Sequence, residues 1–561
     1  MQEEMNALYE NQTWILVPRT NQMNVIGCKW VFKTKLAPDG SLDRLKARLV
    51  AKGFHQEEGV DFTETFSPVV KHATIRIVLS VAMMKNWPIH QLDVKNAFLH
   101  GVLNETMYME QPPGFIHPQK SQCVCLLKRS LYGLRQAPRA WFDKFSNFLL
   151  ENGFFCSTAD PSLFVLHSGS DIVLLLLYVD DIILTGSSAQ LLATLIKKLS
   201  LQFHMKDLGY LHYFLGIEAK RTSQDLFLCQ TKYAIDLLNR AHMTECKPVS
   251  TPLPLRSIAM TNDDILLADP LEYRSIVGGL QYLTITRPDL AYATNLLCQK
   301  LQHPTIADFH KLKRVLRYVK GTAHLGIFLH SNSSTALYGY SDADWAGCAD
   351  TRRSTTGFCT YLGSNLLSWS AKKQPTVSHS STEAEYRALA STTADLTWIS
   401  FVLRDIGISL ISPTLLFCDN KSAISLTANP ILHARTKHIE VDFHFVREKK
   451  VSSGSINVRY IPTHLQLADI FTKSLSRFAH STIRTKLGMR FLTLPNLRGD
   501  VKEIRATQPM QRDYSAVTTS TKEDNESERA AAIVKINGSI AQSIKRSTQV
   551  RGDYLTGKAT S

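Results

Sequence analysis

Cysteine is scarce in this chain and never stands in the spacings that bind zinc. The 561 residues include 10 cysteines, of which only Cys123 and Cys125 lie close together. No Cys-x-x-Cys pair and no Cys/His finger spacing occurs. We therefore expect reduced, mostly buried thiols and an intracellular protein, and the pattern argues against a disulfide scaffold or a zinc finger.

Long apolar runs and targeting signals are lacking as well. Residues 1–10 are not a basic stretch followed by an apolar one, so no signal peptide is predicted. No run of about 18 apolar residues occurs, so no membrane-spanning helix is predicted. Acidic residues are fewer than basic ones, 49 against 64, which gives a net charge of +15. This surplus favours a polyanionic partner, nucleic acid before acidic membrane, over a merely soluble basic protein.

The apolar stretch at residues 172–186 contains two adjacent acids. Short apolar runs rich in β-branched residues flank Asp180 and Asp181, which predicts a buried β-hairpin with the acids at its tip. Two carboxylates there repel each other unless a cation lies between them, and hard divalent cations such as Mg²⁺ are held by carboxylate oxygens. The alternative is a solvated turn, because Asp is common in turns.

A third acid can join this pair. Residues 89–99 predict a strand that carries Asp93, with Phe98 just past the strand end. As an alternative, Asp93 caps the helix that follows. Upstream, Lys46 and Arg48 share one face of a predicted strand, which fits a triphosphate or nucleic-acid backbone or, equally, a solvated strand face.

Residues 131–141 contain a glycine, two arginines, a proline and two aromatic residues. One interpretation is a nucleotide pocket with Arg135 and Arg139 near phosphate. The other is a loop followed by a helix that packs Trp141 and Phe145.

Beyond a polar linker at residues 331–334, a second α/β unit carries four separated acids. Each is predicted to end a strand or to lie on a helix: Asp342, Glu385, Asp419 and Asp469. Acids at strand ends and helix starts can converge at one edge of a sheet. Two have plain alternatives, because Thr382-x-x-Glu385 is also a capping box and Asp419-Asn420 could cap the next helix.

Taken together, these segments resemble the reverse transcriptase and RNase H portion of a copia-type LTR retrotransposon polyprotein. The resemblance covers about residues 10–500, in family order. The matching motifs are Lys46-Ala-Arg-Leu-Val-Ala-Lys-Gly-Phe, Gln91-Leu-Asp-Val-Lys-Asn-Ala-Phe-Leu-His-Gly, Ser130-Leu-Tyr-Gly-Leu-Arg-Gln-Ala-Pro-Arg-Ala-Trp, Tyr178-Val-Asp-Asp, Met205-Lys-Asp-Leu-Gly, Thr286-Arg-Pro-Asp, Ser341-Asp-Ala-Asp-Trp-Ala-Gly, Ser381-Thr-Glu-Ala-Glu-Tyr, Cys418-Asp-Asn and Ala468-Asp-Ile-Phe-Thr-Lys.

The resemblance implies an α+β and α/β multidomain fold, in which a right-hand polymerase with fingers, palm and thumb is followed by an RNase H-like domain. The implied domains are fingers and palm over residues 1–246, a thumb or connection region over 247–330 and the RNase H-like domain over 335–480. Residues 481–561 then form a C-terminal extension, which its composition predicts to be largely disordered beyond about residue 500.

The resemblance assigns both sets of acids to metal binding and catalysis. In the palm the acids are Asp93, Asp180 and Asp181. In the RNase H-like domain they are Asp342, Glu385, Asp419 and Asp469. Glu383 is a less favoured substitute for Glu385, because only Glu385 is followed at the family offset by Ala388. His464 resembles the mobile histidine of RNase H.

The resemblance also implies residues that bind the incoming nucleotide. Phe98 matches the aromatic residue that excludes a ribose 2′-hydroxyl. Tyr132 and Gly133 match the pocket floor. Lys46 and Arg48 fall in the fingers strand that contacts triphosphate.

The implied function is RNA-directed DNA synthesis combined with an RNase H that degrades the RNA strand of RNA–DNA hybrids. The implied cofactors are two Mg²⁺ ions per active site, with Mn²⁺ as an alternative. The implied partners are RNA template, DNA primer, RNA–DNA hybrid and dNTPs, without a membrane, and a homo-oligomer is allowed; the implied location is a cytoplasmic virus-like particle or the nucleus. The competing hypothesis is a decayed or co-opted fragment that binds nucleic acid without catalysis. Nucleocapsid, aspartic-protease and integrase motifs are absent, which predicts a fragment or a truncated element.

Overall fold

The computed structural model describes residues 1–36, 41–255, 264–427, 445–449 and 454–492, and these form a mixed α/β architecture. The helices are α1 (Gln2–Glu10), α2 (His72–Met84), α3 (Ala97–His100), α4 (Ala137–Glu151), α5 (Ala189–Phe203), α6 (Thr231–Arg240), α7 (Leu271–Leu283), α8 (Ala291–Cys298), α9 (Ile306–Gly321), α10 (Ser381–Ile406), α11 (Lys421–Leu426) and α12 (Arg477–Lys486). Within the described ranges, no helix combines the length and apolar character needed to cross a membrane.

In the part of the chain that the structure describes, the strands form four sheets and one two-stranded ribbon. In chain order they are β1 (Trp14–Pro18), β2 (Val25–Ile26), β3 (Cys28–Leu36), β4 (Leu42–Ala51), β5 (Ile89–Val94), β6 (Val102–Met109), β7 (Cys123–Arg129), β8 (Phe155–Cys156), β9 (Leu163–Ser168), β10 (Asp171–Tyr178), β11 (Asp181–Gly186), β12 (Met205–Tyr210), β13 (Tyr213–Phe214), β14 (Ile217–Arg221), β15 (Asp225–Cys229), β16 (Leu325–His330), β17 (Leu337–Asp344), β18 (Thr355–Leu362), β19 (Asn365–Lys373), β20 (Thr414–Cys418), β21 (Ile456–Tyr460) and β22 (Met489–Phe491). The turn predicted at residues 38–40 and the tail beyond residue 500 lie outside the described residues.

The hairpin predicted at residues 172–186 lies inside a six-stranded sheet with the order β12-β5-β11-β10-β9-β8. β10 and β11 pair antiparallel with Tyr178 opposite Asp181, so that the two intervening residues form the turn. Leu174 and Leu175 are both fully buried but belong to different hydrophobic cores, one on each face of the sheet. Because both faces are covered, the apolar run is continuous instead of alternating.

The N-terminal part of the chain forms a four-stranded sheet, β1-β7-β6-β2, and the antiparallel ribbon β3–β4. Side chains along the ribbon reach solvent, with Phe32 and Leu45 exposing 68% and 75% of their surface. At the base of the ribbon, Leu49 and Ala51 are buried in the core beneath the four-stranded sheet. The ribbon is therefore anchored at one end and open to solvent along its length.

A five-stranded sheet, β13-β14-β15-β16-β22, joins segments that are far apart in the sequence. Its last strand, β22, pairs antiparallel with β16 and follows α12. Residues 481–492, which the sequence analysis placed in a C-terminal extension, thus belong to this sheet and the preceding helix. Residues from 493 onward lie outside the description.

The last sheet has the order β19-β18-β17-β20-β21. β17, β18 and β19 pair antiparallel, whereas β20 and β21 run parallel to β17. α10 makes the crossover between β19 and β20 and packs on the sheet. This topology brings the ends of β17 and β20 and the start of α10 to one edge, as the acid pattern predicts.

One hydrophobic core, named the shared core below, extends across the polar linker at residues 331–334. It contains Ile77 of α2 and Leu174 of β10, from before the linker, together with Leu396 of α10 and Leu416 of β20, from after it. Polar contacts accompany it, since the indole of Trp398 donates to the carbonyl of Ala159 at 2.8 Å. The two parts of the chain are therefore packed against each other directly.

Candidate active sites

Three acids from two chain segments meet at the tip of the β10–β11 hairpin. Asp93 at the end of β5 lies opposite Asp181 at the start of β11 in the antiparallel pairing, and Asp180 occupies the turn. Asp93 does not cap the following helix, because the capping position of α3 is Asn96. Burial, together with the charges of Asp180 and Asp93, raises the pKa of Asp181 to about 6. The three carboxylates thus form a repulsive, partly buried cluster.

An aromatic and cationic pocket adjoins these acids. The guanidinium of Arg48 stacks on the Tyr132 ring at 4.4 Å, and Phe98 meets the same ring edge-on at 4.9 Å. Burial raises the pKa of Tyr132 to about 12, and the charges of Asp180 and Asp93 contribute to the rise. Nucleotide-binding candidates that are distant in the sequence are therefore grouped around Tyr132 and beside the acids.

Glycine is required at position 133. Gly133 has φ +94°, and a Cβ there would lie 2.2 Å from the carbonyl oxygen of Ala51. The neighbouring peptide is also fixed, since the amide of Ala51 donates to the carbonyl of Tyr132 at 2.8 Å. The loop is thereby held against the end of β4, the strand that carries Arg48 and Lys46.

The remaining basic candidates are Lys46, on the same strand as Arg48, and the two arginines of residues 131–141. Lys46 lies on β4 with Lys33 opposite it in the pairing, and it is half-buried. Arg135 donates to the carbonyl of Gly53 at 3.2 Å, and Arg139 pairs with Asp143 at 2.8 Å. The two arginines of residues 131–141 thus bond to protein groups.

A second cluster contains the four acids beyond the linker. Carboxylate oxygens of Glu385 and Asp419 and the sulfur of Cys418 lie within 4.8 Å of one another. Burial raises the pKa of Glu385 to about 9, and the charges of Asp342 and Asp419 add to the rise. Burial and the charge of Asp342 likewise raise the pKa of Asp469 to about 7. All four acids of this cluster are therefore close enough to interact electrostatically.

The local structure separates the catalytic candidate Glu385 from its neighbour Glu383. Ser380, not Thr382, caps α10 by accepting from the Glu383 amide, so the predicted Thr382–Glu385 capping box is wrong. The Glu383 carboxylate accepts from the backbone of His379 at 2.8 Å and pairs with Arg387 at 2.7 Å. Glu383 is thus committed to the helix start, and Glu385 is the one beside the other acids.

At the end of β20, as at the start of α10, one residue caps a helix and a neighbouring acid lies in the cluster. Asn420 caps α11 by accepting from the Ala423 amide at 3.0 Å. Asp419 is not the cap; its carboxylate accepts from the Thr463 hydroxyl at 2.8 Å. The neighbouring His464 is exposed to solvent in a short 3-10 turn.

Lys473 and Thr472 are members of this cluster to which the sequence analysis assigned no role. The Lys473 ammonium lies 2.8 Å from Asp469 and 3.5 Å from Asp342. The Thr472 hydroxyl donates to the Asp342 carboxylate. Both residues belong to the recognised motif ending in Phe-Thr-Lys, and the spacing of four residues between Asp469 and Lys473 was the signal available.

Both clusters contain carboxylate oxygens, the kind of ligand that hard divalent cations such as Mg²⁺ take. The hairpin cluster offers three carboxylates, whereas the second cluster also holds the Cys418 sulfur near Glu385 and Asp419 and the Lys473 ammonium beside Asp469 and Asp342. In each cluster burial, and after it the charges of neighbouring acids, raises a carboxylate pKa, as for Asp181 and Glu385. A bound cation would relieve this repulsion.

Comparison with known proteins identifies the family of this chain. A family model described as "Reverse transcriptase (RNA-dependent DNA polymerase)" matches residues 11–254. The chain is 50% identical over 490 residues to the Retrovirus-related Pol polyprotein from transposon RE1 of Arabidopsis thaliana, which covers 87% of this chain and 33% of that protein. It is 31% identical over 308 residues to the Putative transposon Ty5-1 protein of Saccharomyces cerevisiae, which covers 54% of this chain and 100% of that protein.

Among solved structures, the foamy viral protease-reverse transcriptase in complex with RNA/DNA hybrid is similar, with a TM-score of 0.44 and 13% identity. That match covers 82% of this chain and 53% of the viral chain. The family model and the sequence relatives place this chain in the class of the reverse transcriptases. More narrowly, the chain belongs to the copia-type family of retrotransposon Pol polyproteins. It spans 33% of the length of the RE1 polyprotein.

Proposed function

We propose that this chain is a bifunctional enzyme that synthesises DNA on an RNA template and degrades the RNA strand of the resulting hybrid. The observation that carries the proposal is the presence of two acid clusters on two different sheets. Asp181 lies in the six-stranded sheet, and Asp342 lies in the sheet built around β17. Each cluster has the chemistry of a two-metal site.

The proposed architecture is that of a right-hand polymerase followed by an RNase H-like domain. Fingers and palm take residues 1–246, with the β3–β4 ribbon in the fingers and the six-stranded sheet in the palm. The helices α7 to α9 within residues 247–330 form the thumb or connection region. The RNase H-like domain takes residues 335–480.

In the polymerase site, Asp93, Asp180 and Asp181 would hold Mg²⁺, with Mn²⁺ as the alternative. The bound ions supply activation of the primer 3′-hydroxyl and stabilisation of the leaving pyrophosphate. Gly133 lets the backbone approach closely beneath the base-pairing nucleotide, since any side chain there would meet Ala51. Tyr132 forms the rest of this floor.

Two further groups of the chain select the nucleotide. The Arg48 guanidinium is oriented by the Tyr132 ring at 4.4 Å, and with Lys46 it would meet the triphosphate. Phe98 is fixed edge-on against the same ring at 4.9 Å, where a 2′-hydroxyl would meet the aromatic side chain. Substrate choice would thus rest on rigid contacts between side chains.

In the RNase H site, Asp342, Glu385, Asp419 and Asp469 would hold the metal ions. Lys473, at 2.8 Å from Asp469, offsets part of their charge. His464, exposed beside the site, is free of the buried core and would act at its rim. Hybrid recognition would rest on groove shape and the 2′-hydroxyl.

Nucleic acid is the proposed partner of both sites, as RNA template, DNA primer and hybrid. The net charge of +15 supports sequence-independent phosphate contacts. Binding should therefore weaken steeply as the salt concentration rises.

The test uses one RNA–DNA hybrid that reports both activities, with labelled primer for extension and labelled RNA for cleavage. Asp181→Asn should abolish extension and leave cleavage, and Asp419→Asn should do the reverse, because independent sites respond independently. Asp171→Asn, at the far end of the same hairpin, and Asp350→Asn, an exposed acid after β17, are matched controls that should retain both activities.

Loss of both activities in Asp419→Asn, with circular dichroism unchanged, would contradict two separate sites. A wild-type chain that binds the hybrid but neither extends nor cleaves it would favour the non-catalytic fragment instead.

A further inference from the structure

The turn that carries Asp180 has an unfavourable backbone conformation. Val179, the first residue of the turn, has φ +51°, in the left-handed region. This region is uncommon for residues other than glycine and is a genuine outlier for a β-branched side chain. Such a conformation persists only where the surrounding structure imposes it.

Two hydrogen bonds from different elements hold this turn. The indole N–H of Trp141, on α4, donates to the carbonyl of Val179 at 2.7 Å. The amide of Val94, next to Asp93 on β5, donates to the carbonyl of Asp180 at 2.9 Å. Both peptide carbonyls of the turn are therefore fixed, one by the neighbouring strand and one by a side chain from outside the sheet.

The Trp141 indole, which donates the first of these bonds, is buried and closely packed. Trp141 exposes 1% of its surface and packs against Phe145 at 5.1 Å and Phe203 at 5.5 Å. Its backbone is also closely approached, since a Cβ at Gly101 would come within 2.9 Å of the Trp141 amide nitrogen. Because the packed indole points its N–H in one direction, the Val179 carbonyl can accept this hydrogen bond in only one orientation.

We propose that Trp141 is a positioning residue for DNA synthesis, which holds Val179 in its left-handed conformation and thereby sets Asp180 relative to Asp93 and Asp181. This inference rests on the proposed polymerase function. Trp141 touches none of the reacting groups and acts through the turn. Trp141 lies about one turn into α4, the helix that follows the loop bearing Tyr132.

The test compares primer extension by the full chain with and without the indole donor. Trp141→Phe keeps an aromatic ring and removes the N–H, and replacement by 3-benzothienylalanine removes the N–H while keeping the ring shape. We expect the extension rate at saturating dNTP to fall about tenfold or more, equivalent to about 1.4 kcal/mol of barrier. The KM for dNTP should change less than about twofold, because the pocket residues remain in place.

Three comparisons separate positioning from packing. Phe145→Leu disturbs the same aromatic cluster without touching Val179, and it should keep the extension rate at temperatures where the chain is folded. RNA cleavage at the second cluster should be unchanged in every variant. Val179→Asn, a residue that tolerates the left-handed region, should reduce the effect of Trp141→Phe in the double variant.

Each result either supports or refutes the positioning role of Trp141. If either Trp141 replacement extends at the wild-type rate, or if Phe145→Leu loses as much as Trp141→Phe, the positioning role is refuted. Additive effects of the Val179 and Trp141 changes would refute it too. A wild-type chain without extension activity would refute the proposed polymerase function and this inference with it, whereas an active wild type with an unaffected variant would refute only the inference.

Discussion

A buried ion pair between α7 and α8 allows a stability prediction with a defined magnitude. The Arg287 guanidinium donates two hydrogen bonds to Asp289, at 2.9 and 2.8 Å, and two more to Thr322, at 2.8 and 2.7 Å. Asp289 also accepts from the Tyr318 hydroxyl at 2.6 Å. The side chains of the pair expose only 1% and 0% of their surface. Replacing Arg287 by Met would keep an unbranched, apolar stem of about the length of the Arg287 methylene chain and remove every one of its donors.

The cost follows from the charge that is left behind. Removing one partner of a buried ion pair costs about 3–5 kcal/mol, because the remaining charge is uncompensated. We expect the lower half of that range for Arg287→Met, since Tyr318 still donates to Asp289. The Arg287 charge lowers the pKa of Asp289 against the effect of burial. The stabilisation is therefore fully present at pH 7 and is lost as the pH falls through this lowered pKa.

The measurement is urea unfolding at pH 7, followed by tryptophan fluorescence and circular dichroism. Arg274→Met is the control for loss of a guanidinium: Arg274 donates to two backbone carbonyls, at 2.7 and 3.1 Å, and is exposed. The control should lose less than about 1 kcal/mol. The double variant Arg287→Met with Asp289→Leu should regain much of the loss, because an apolar replacement of the whole pair leaves no buried charge.

The reasoning fails if Arg287→Met is no less stable than Arg274→Met. It also fails if the double variant is less stable than the single one, since the uncompensated carboxylate would then not be the cause.

Two further predictions concern sugar choice and acid stability. Phe98→Val should lower the ratio of dNTP to rNTP incorporation efficiency by about tenfold or more, because a smaller side chain beside Tyr132 admits the 2′-hydroxyl; an unchanged ratio would make Phe98 ordinary packing. Burial lowers the pKa of His480 to about 4, whereas the unfolded chain protonates near the ordinary value of about 6.5. Protonation of the unfolded state should therefore remove up to about 3 kcal/mol of stability as the pH falls from about 6.5 to about 4. His480→Phe, which keeps the edge-on contact with Tyr318, should flatten this part of the stability profile, and a profile that stays as steep would contradict the buried neutral histidine.

Local chemistry predicted the hairpin, its acids and a strand carrying Asp93 that could join them, but not the register of the pairing. The continuous apolar run around Asp180 and Asp181 indicates strands buried on both faces, and the structure confirms this with β10 and β11. The pairing that brings Asp93 opposite Asp181 joins distant segments. Such pairings depend on which buried faces fit together across the whole domain, which no local period encodes. The residue pattern allowed this association, the family resemblance implied it, and the structure gives its register, Asp93 opposite Asp181.

Of the capping alternatives, the cap at Asn420 is confirmed, whereas the capping box at Thr382 is wrong. Both Thr382 and Ser380 are suitable capping residues, and the competition is decided by where the backbone enters α10. Ser380 caps the helix, so Glu383 lies in the first turn and Glu385 lies beside Asp342. Lys473 was missed although its spacing of four residues from Asp469 was a local signal, and only its contact with Asp342 depends on tertiary packing.

The shared core constrains how this chain can change over generations. Ile77 lies before the linker and Leu396 after it, yet both belong to one apolar interior. A recombination event at residues 331–334 would join halves whose buried surfaces had not been selected together. We expect substitutions across this boundary to occur in compensating pairs, and hybrid elements assembled from distant lineages to lose solubility unless both halves are inherited from the same parent.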